Sequence, residues 1–170
     1  MRASRRWALA LLTLSLILLL PAPPLAARTI DEIIKRGKVI VGVNTTTPIF
    51  GLAGPDGQPE GYDPDVARLA AKYLGVQVEF VPVTGANRLP FLLTNRVDMV
   101  IALFGITPER AQQIWFSIPY ATEAAVLVAP ASRAVKTVDD LGGLRVGVPR
   151  GAMPDLILTP QAAAKKINLM

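Results

Sequence analysis

Arg110 is the residue with the clearest chemical opportunity. It closes the run Thr107-Pro108-Glu109-Arg110, shortly after the mostly apolar stretch 97–103. If that stretch is a strand, Arg110 lies beyond its carboxyl end, where open α/β sheets bind their ligands. A guanidinium there can hold a carboxylate through two parallel charge-assisted hydrogen bonds. The plainer alternative is a surface pair with Glu109 or Asp98. Arg88, directly after Asn87, is a second candidate, and its alternative is a solvated arginine at a helix start. The loop Asn44-Thr45-Thr46-Thr47-Pro48 follows another apolar stretch, so its amide and hydroxyls either meet a ligand or satisfy their own turn. Gly151-Ala152-Met153-Pro154 leads into a helix. Its backbone N–H groups either attract an anion or make an ordinary strand-to-helix turn.

Other chemistries are narrowed by what the chain lacks. Cysteine and histidine are both absent. Zinc, iron–sulfur and haem ligation, Cys–His pairs and Ser–His–Asp triads are excluded or nearly so, and no cofactor is expected. No Gly-x-Gly-x-x-Gly, P-loop or Gly-x-Ser-x-Gly occurs. Asp63 and Asp65 form a carboxylate pair on paper, but helix capping accounts for them better. Trp115 and Phe116 read as packing residues.

These candidates need a framework, and 170 residues at 51 % apolar content can bury a core. The first 27 residues stand apart. Arg2, Arg5 and Arg6 precede an apolar stretch over 7–20 that is too short for an ordinary membrane span. Pro21-Ala22-Pro23-Pro24 breaks it, and Leu25-Ala26-Ala27 offers small residues for cleavage. This order reads as a secretory signal peptide cleaved near Ala27, with an uncleaved membrane anchor as the alternative. Of the 18 basic residues, three lie in that segment; the 15 that remain face 13 acidic ones, a net charge of +2. That is no nucleic-acid footprint.

The rest alternates between periodicities. A short helix is expected over 28–38, with Ile30, Ile33 and Ile34 on one face and Gly37 at its end. A β-branched strand follows over 38–43, then a loop over 44–60. A helix begins near Gly61-Tyr62-Asp63-Pro64-Asp65, with Asp63 as its cap, Pro64 in its first turn and Gly75 as its end. Further strands are expected over 76–81, 97–103, 124–129 and 144–148. Short helices are expected over 88–93 and after Pro108, with a helical turn at 138–141. Such alternation predicts an α/β fold with a mainly parallel sheet. The chain leaves its first unit around 117–123.

In series, these segments resemble the extracytoplasmic solute-binding proteins of family 3, the polar amino-acid receptors of ABC importers. The matching pieces follow the signal peptide in the family's order. They are Val39-Ile40-Val41-Gly42-Val43, Gly61-Tyr62-Asp63-x-Asp65-Val66-Ala67, Arg88-x-Pro90-x-Leu92, Val97-Asp98, Thr107-Pro108-Glu109-Arg110, Phe116-Ser117-x-Pro119-Tyr120 and Asp140-Leu141-x-Gly143-x-Arg145-Val146-Gly147-Val148.

The resemblance implies a periplasmic-binding-protein-like type II fold. Two lobes, each a mainly parallel sheet flanked by helices, would close on a ligand by hinge motion. It implies a signal peptide over 1–27, a first ligand-binding lobe over 28–120, and a hinge crossing with a partial second lobe over 121–170. Arg110 matches the family arginine that holds the ligand's α-carboxylate. Asn44 and Thr47 match the first-loop contact region, and Asn87-Arg88 looks like the form in receptors for acidic amino acids. Gly105 stands where the family usually has a hydroxyl, and Gly151, Ala152 and Met153 stand where it usually has Gly-Ser/Thr-Thr. Positions 105 and 153 are therefore altered binding positions. The family's second lobe continues past residue 170, so a C-terminally truncated, impaired receptor is the expectation. The implied setting is the periplasm, with a monomer delivering an amino acid to an ABC permease in the inner membrane and no catalysis. The alternatives are an arogenate or cyclohexadienyl dehydratase-like enzyme on the same scaffold, or a membrane-tethered sensor module.

Overall fold

The computed structural model describes residues 27–170; the signal-peptide reading covers 1–27, and all but its last residue lies outside the described residues. The first element, α1 (Ile30–Arg36), opens with a capping box between Thr29 and Glu32 and closes on Gly37 in a left-handed conformation. Ile33 is buried, whereas Ile30 and Ile34 remain exposed, so the expected three-isoleucine face narrows to one anchor.

The chain then enters β1 (Lys38–Val43), the centre of a three-stranded parallel sheet. Its neighbours are β5 (Gln77–Pro82), in register from Lys38 opposite Gln77 to Val43 opposite Pro82, and β6 (Met99–Val100). Val39, Val41 and Val43 share one face by strand periodicity and are fully buried. On the other face, a side chain at Gly42 would meet Val83 and Val100 at 3.0 and 3.1 Å. Burial on both faces explains the unbroken β-branched run. Ile33, Ile101 and the helix α2 (Tyr62–Leu74), through Ala67 and Ala71, complete this core.

Two corrections arise between β1 and α2. The expected loop over 44–60 is an antiparallel meander of β2 (Thr46–Thr47), β3 (Gly51–Ala53) and β4 (Pro59–Glu60). Its strands are too short to carry a visible alternation. The cap of α2 is Gly61, not Asp63. Asp63 lies inside the first turn, fully buried, with its carboxylate committed to other donors.

Asp98 ties the sheet's amino end together. Its buried carboxylate accepts from Ile40 N–H at 2.7 Å and pairs with Arg28 at 2.8 Å and with Arg36. Burial pushes its pKa up, but those donors hold it below the ordinary aspartate range. The folded pKa is depressed, so its contribution is present above the unfolded value and is lost as pH falls through the folded one. Breaking such a cluster costs about 3–5 kcal/mol when fully buried; with both arginines partly solvated, Asp98→Ala is expected to cost about 2 kcal/mol at pH 7. Urea unfolding at pH 7 and below pH 3 checks this, because the difference between variant and parent must shrink in acid.

After β5 come α3 (Arg88–Leu93), β6 and α4 (Pro108–Ala111). The strand expected over 97–103 contracts to Met99–Val100, because its exit bends at Leu103, whose φ is 49°. The strand expected over 124–129 does not form. No described strand pairs with it, and Val126 and Val128 are 80 % and 90 % exposed. Apolar, β-branched composition alone supplies no ladder. A second, smaller core then gathers Leu141, Val146, Leu158 and Ile167. It is built from a 3₁₀ turn (Val138–Leu141), β7 (Arg145–Val146), α5 (Met153–Ala162) and β8 (Asn168–Leu169). β7 and β8 pair in parallel, so the last residues form a strand where no terminal element was expected.

Candidate functional site

The segment Thr107–Arg110 is a helix start in miniature. Thr107 caps α4, its hydroxyl accepting from Arg110 N–H at 3.3 Å, and Pro108 takes the first turn. This fixes the Arg110 backbone at the exit of β6. Its guanidinium turns inward and is 7 % exposed. Nη1 donates to Gly105 O at 2.7 Å, and Nη2 donates to Gly151 O at 2.9 Å. The surface pairing with Asp98 is thereby excluded, since Asp98 serves Arg28 and Arg36.

Arg88 reaches the same place from α3. Asn87 closes the preceding turn by accepting from Thr84 N–H at 2.8 Å. Arg88 is 5 % exposed, so the solvated-arginine alternative fails. Its Nη1 donates to Ala102 O at 2.6 Å and Leu103 O at 2.8 Å, and its Nη2 donates to Gly151 O at 3.3 Å. Both guanidinium carbons lie 4.7 Å from the centroid of the Phe104 ring. Phe116 packs edge-on against that ring at 5.6 Å, whereas Trp115, expected to pack, is fully exposed.

The electrostatics of this pair are unusual. Among the described residues, none of the ion pairs involves Arg88 or Arg110. Arg88 Nε is buried with no hydrogen-bond partner. Burial and the neighbouring Arg110 guanidinium push the pKa of Arg88 down to about 10, so it remains a cation at neutral pH. Burial also lowers that of Arg110. Glu123 and Glu109 act on Arg88 and Arg110 respectively, but neither closes to an ion pair, and a buried charge without a directly bonded counter-charge costs several kcal/mol. One neutral oxygen, that of Gly151, is shared by both cations, and a carboxylate would be the stronger acceptor.

The other expected positions divide into two groups. Gly105 and Met153 join the arginines: Met153 Sδ lies 4.0 Å from Arg110 Nη1, and a Cβ at Gly105 would come within 2.9 Å of that sulfur. The two altered positions are therefore a fitted pair, the small residue making room for the large one. Gly151 is held from both sides, its N–H donating to Asp155 at 2.7 Å while its carbonyl meets the arginines. Asn44 and Thr47 belong instead to the β2–β3 region. Asn44 Oδ1 accepts from Thr46 N–H at 2.7 Å and from its hydroxyl at 3.0 Å, which is the turn chemistry set out as the alternative. Sequence reasoning missed Phe104, the aromatic that follows the β6 exit, and it assigned Asp63 to the wrong task. The aromatic directly before Gly105 was the available signal for the first.

Comparison with known proteins adds an independent line. The model for bacterial extracellular solute-binding proteins, family 3, matches residues 39–167. The glutamine-binding protein of Geobacillus stearothermophilus is 38 % identical over 117 residues, which are 66 % of this chain and 45 % of that protein. The solute receptor for L-cysteine of Neisseria gonorrhoeae superposes with a TM-score of 0.77 at 30 % identity, covering 84 % of this chain and 58 % of that one. An ancestral amino acid-binding protein, a precursor of cyclohexadienyl dehydratase, gives 0.74 at 34 % identity, covering 84 % and 64 %. The chain spans about half the length of the curated relatives it matches.

Proposed function

This chain belongs to the bacterial extracellular solute-binding proteins, family 3, and on that footing we propose that it captures an amino acid or similar small carboxylate at the Arg88–Arg110 pair. The observation that carries the reading is two buried guanidiniums with no carboxylate in ion-pair contact among the described residues, one of them with an idle Nε–H. An anionic ligand would supply the missing charge. In this reading Arg110 holds the α-carboxylate. Gly105 and Met153 shape the floor beside it, and Asn44 and Thr47 would meet the ligand from the β2–β3 side through the polar atoms that the Asn44 turn leaves free. Residues 28–120 act as the first ligand-binding lobe, and 121–170 as the crossing and part of a second. The protein works in the periplasm as a monomer, after cleavage of its leader near Ala27. It hands its ligand to an ABC permease in the inner membrane and performs no catalysis.

Arg88 favours an acidic ligand. A second cation beside Arg110 suits a ligand with two carboxylates, because each is matched by its own fork. Calorimetric titration with L-glutamate and L-glutamine, backed by ligand-induced NMR shifts at millimolar concentrations, is the test. Glutamate should bind at least about tenfold more tightly, a difference of about 1.4 kcal/mol. Absolute affinity should fall short of the micromolar level, about −8 kcal/mol, because residues 121–170 bring to the site the turn at 149–155 and the Glu123 carboxylate, which an anionic ligand would have to compete with. Equal binding of the two overturns the acidic-ligand reading, and no response to any amino acid overturns the receptor reading. Turnover of prephenate or arogenate would put an enzyme in its place.

A further inference from the structure

Asp63 is the buried titratable group that ligand binding, as described above, leaves without a task. It is fully buried in the first turn of α2, yet it caps nothing there. Its Oδ2 accepts the backbone N–H of Leu103 at 3.1 Å, and its Oδ1 accepts the phenol of Tyr120 at 2.9 Å. Leu103 has φ 49°, the left-handed region that a branched side chain disfavours. A backbone held there needs an outside hold, and the Asp63 carboxylate provides one through the Leu103 N–H. The carbonyl of the same residue, with that of Ala102, receives Arg88 Nη1. Phe104, the next residue, carries the ring under both guanidiniums.

We propose that Asp63 is a positioning residue for the arginine pair: it locks the left-handed bend at Leu103, and that bend aims Arg88. The same carboxylate tethers Tyr120, whose ring stacks on Tyr62 at 6.1 Å while Tyr62 donates its hydroxyl to Tyr120 O at 3.1 Å. Tyr120 stands at the start of the exposed segment by which the chain leaves its first core. One carboxylate thus sets both the aim of Arg88 and the anchorage of the outgoing chain. The role presupposes that the pair is a ligand site, but its geometry can be read without any ligand.

The test compares Asp63→Ala, Asp63→Asn and Tyr120→Phe with the parent protein, all well below their unfolding temperatures. Two readouts are taken: hydrogen exchange of the Leu103 amide together with the Arg88 guanidinium NMR signals, and L-glutamate binding. Asp63→Ala is expected to speed Leu103 exchange and shift the Arg88 signals, and to weaken glutamate binding about tenfold or more. Asp63→Asn keeps one acceptor oxygen for Leu103 and should restore most of both. Tyr120→Phe should leave both near the parent values, since it releases only the tether. If Asp63→Ala does not fold, Asp63→Leu, which fills the same buried space without an acceptor for Leu103 N–H, takes its place with the same expected shifts. Unchanged Arg88 signals in a folded Asp63→Ala or Asp63→Leu variant overturn the assignment. If the parent binds no glutamate, the ligand reading fails while the exchange and NMR readouts still decide whether Asp63 aims Arg88.

Discussion

Replacing Arg110 by methionine is expected to weaken amino-acid binding about a hundredfold or more while leaving the urea midpoint of unfolding unchanged or raised. The two halves of this result come from one cause. Each charge-assisted hydrogen bond to a carboxylate contributes about 1.5–3 kcal/mol net, and a guanidinium fork makes two. In the protein alone, that guanidinium is buried against carbonyls, the Phe104 ring and another cation. Exchanging such a group for an apolar side chain of similar length is often neutral or stabilising. Methionine fills most of the same channel, so the cavity left behind is small. Titration and urea unfolding on the same preparation check both halves. A fall in stability of more than about 2 kcal/mol with intact binding would make Arg110 a structural arginine and sink the ligand reading.

The second large effect concerns Gly151. Its φ is 74°, and a Cβ there would come 2.5 Å from Gly85 O, which is backbone and cannot swing aside. Gly143 shares the left-handed conformation, with φ 75°, but a Cβ there meets nothing within 4 Å. The pair separates strain from collision. Gly143→Ala should cost about 1 kcal/mol, the ordinary penalty for a side chain in that region. Gly151→Ala should cost about 3 kcal/mol, since overpacking adds to the strain. It also pushes the Gly151 carbonyl away from both arginines. Thermal melts of the two variants decide it. Equal losses would mean that the 149–153 turn yields freely and does not press on the 84–87 turn.

Much of the first core was legible because its signals are local and redundant. The buried-strand run at β1, the glycine stops at Gly37 and Gly75, and the Thr-Pro-Glu-Arg helix start each reflect a backbone requirement met by a few adjacent residues. Arg110 and Arg88 were each readable singly, by their place in the α/β pattern, but their meeting over Phe104 and Gly151 was not. What escaped depended on long-range partners. Val126 and Val128 have strand composition, but composition does not say whether a neighbour is present. Asp63 occupies a position where a cap is common, and only the fold reveals that Leu103 and Tyr120 claim its oxygens. The pairing of β7 with β8 rests on two residues in each strand, too few for any periodicity. Gly105 and Met153 were readable singly as departures. Their mutual fit became visible only when the turn at 149–153 was laid across the β6 exit.

The two cores are joined by a long exposed stretch with little regular structure, and they press together where the Gly85 and Gly151 backbones approach. Their stabilities are therefore unequal and only loosely shared. The larger core is organised around a parallel sheet, whereas the smaller has four buried side chains and a two-residue ladder. Sub-global opening of such a minor unit takes less free energy than global unfolding. Each opening would lift the Gly151 carbonyl from the guanidiniums and admit water to them, with the sheet intact beneath. If the arginine pair takes a ligand as proposed, its access is timed by the breathing of the weaker core, a rate separate from the affinity of the pair itself.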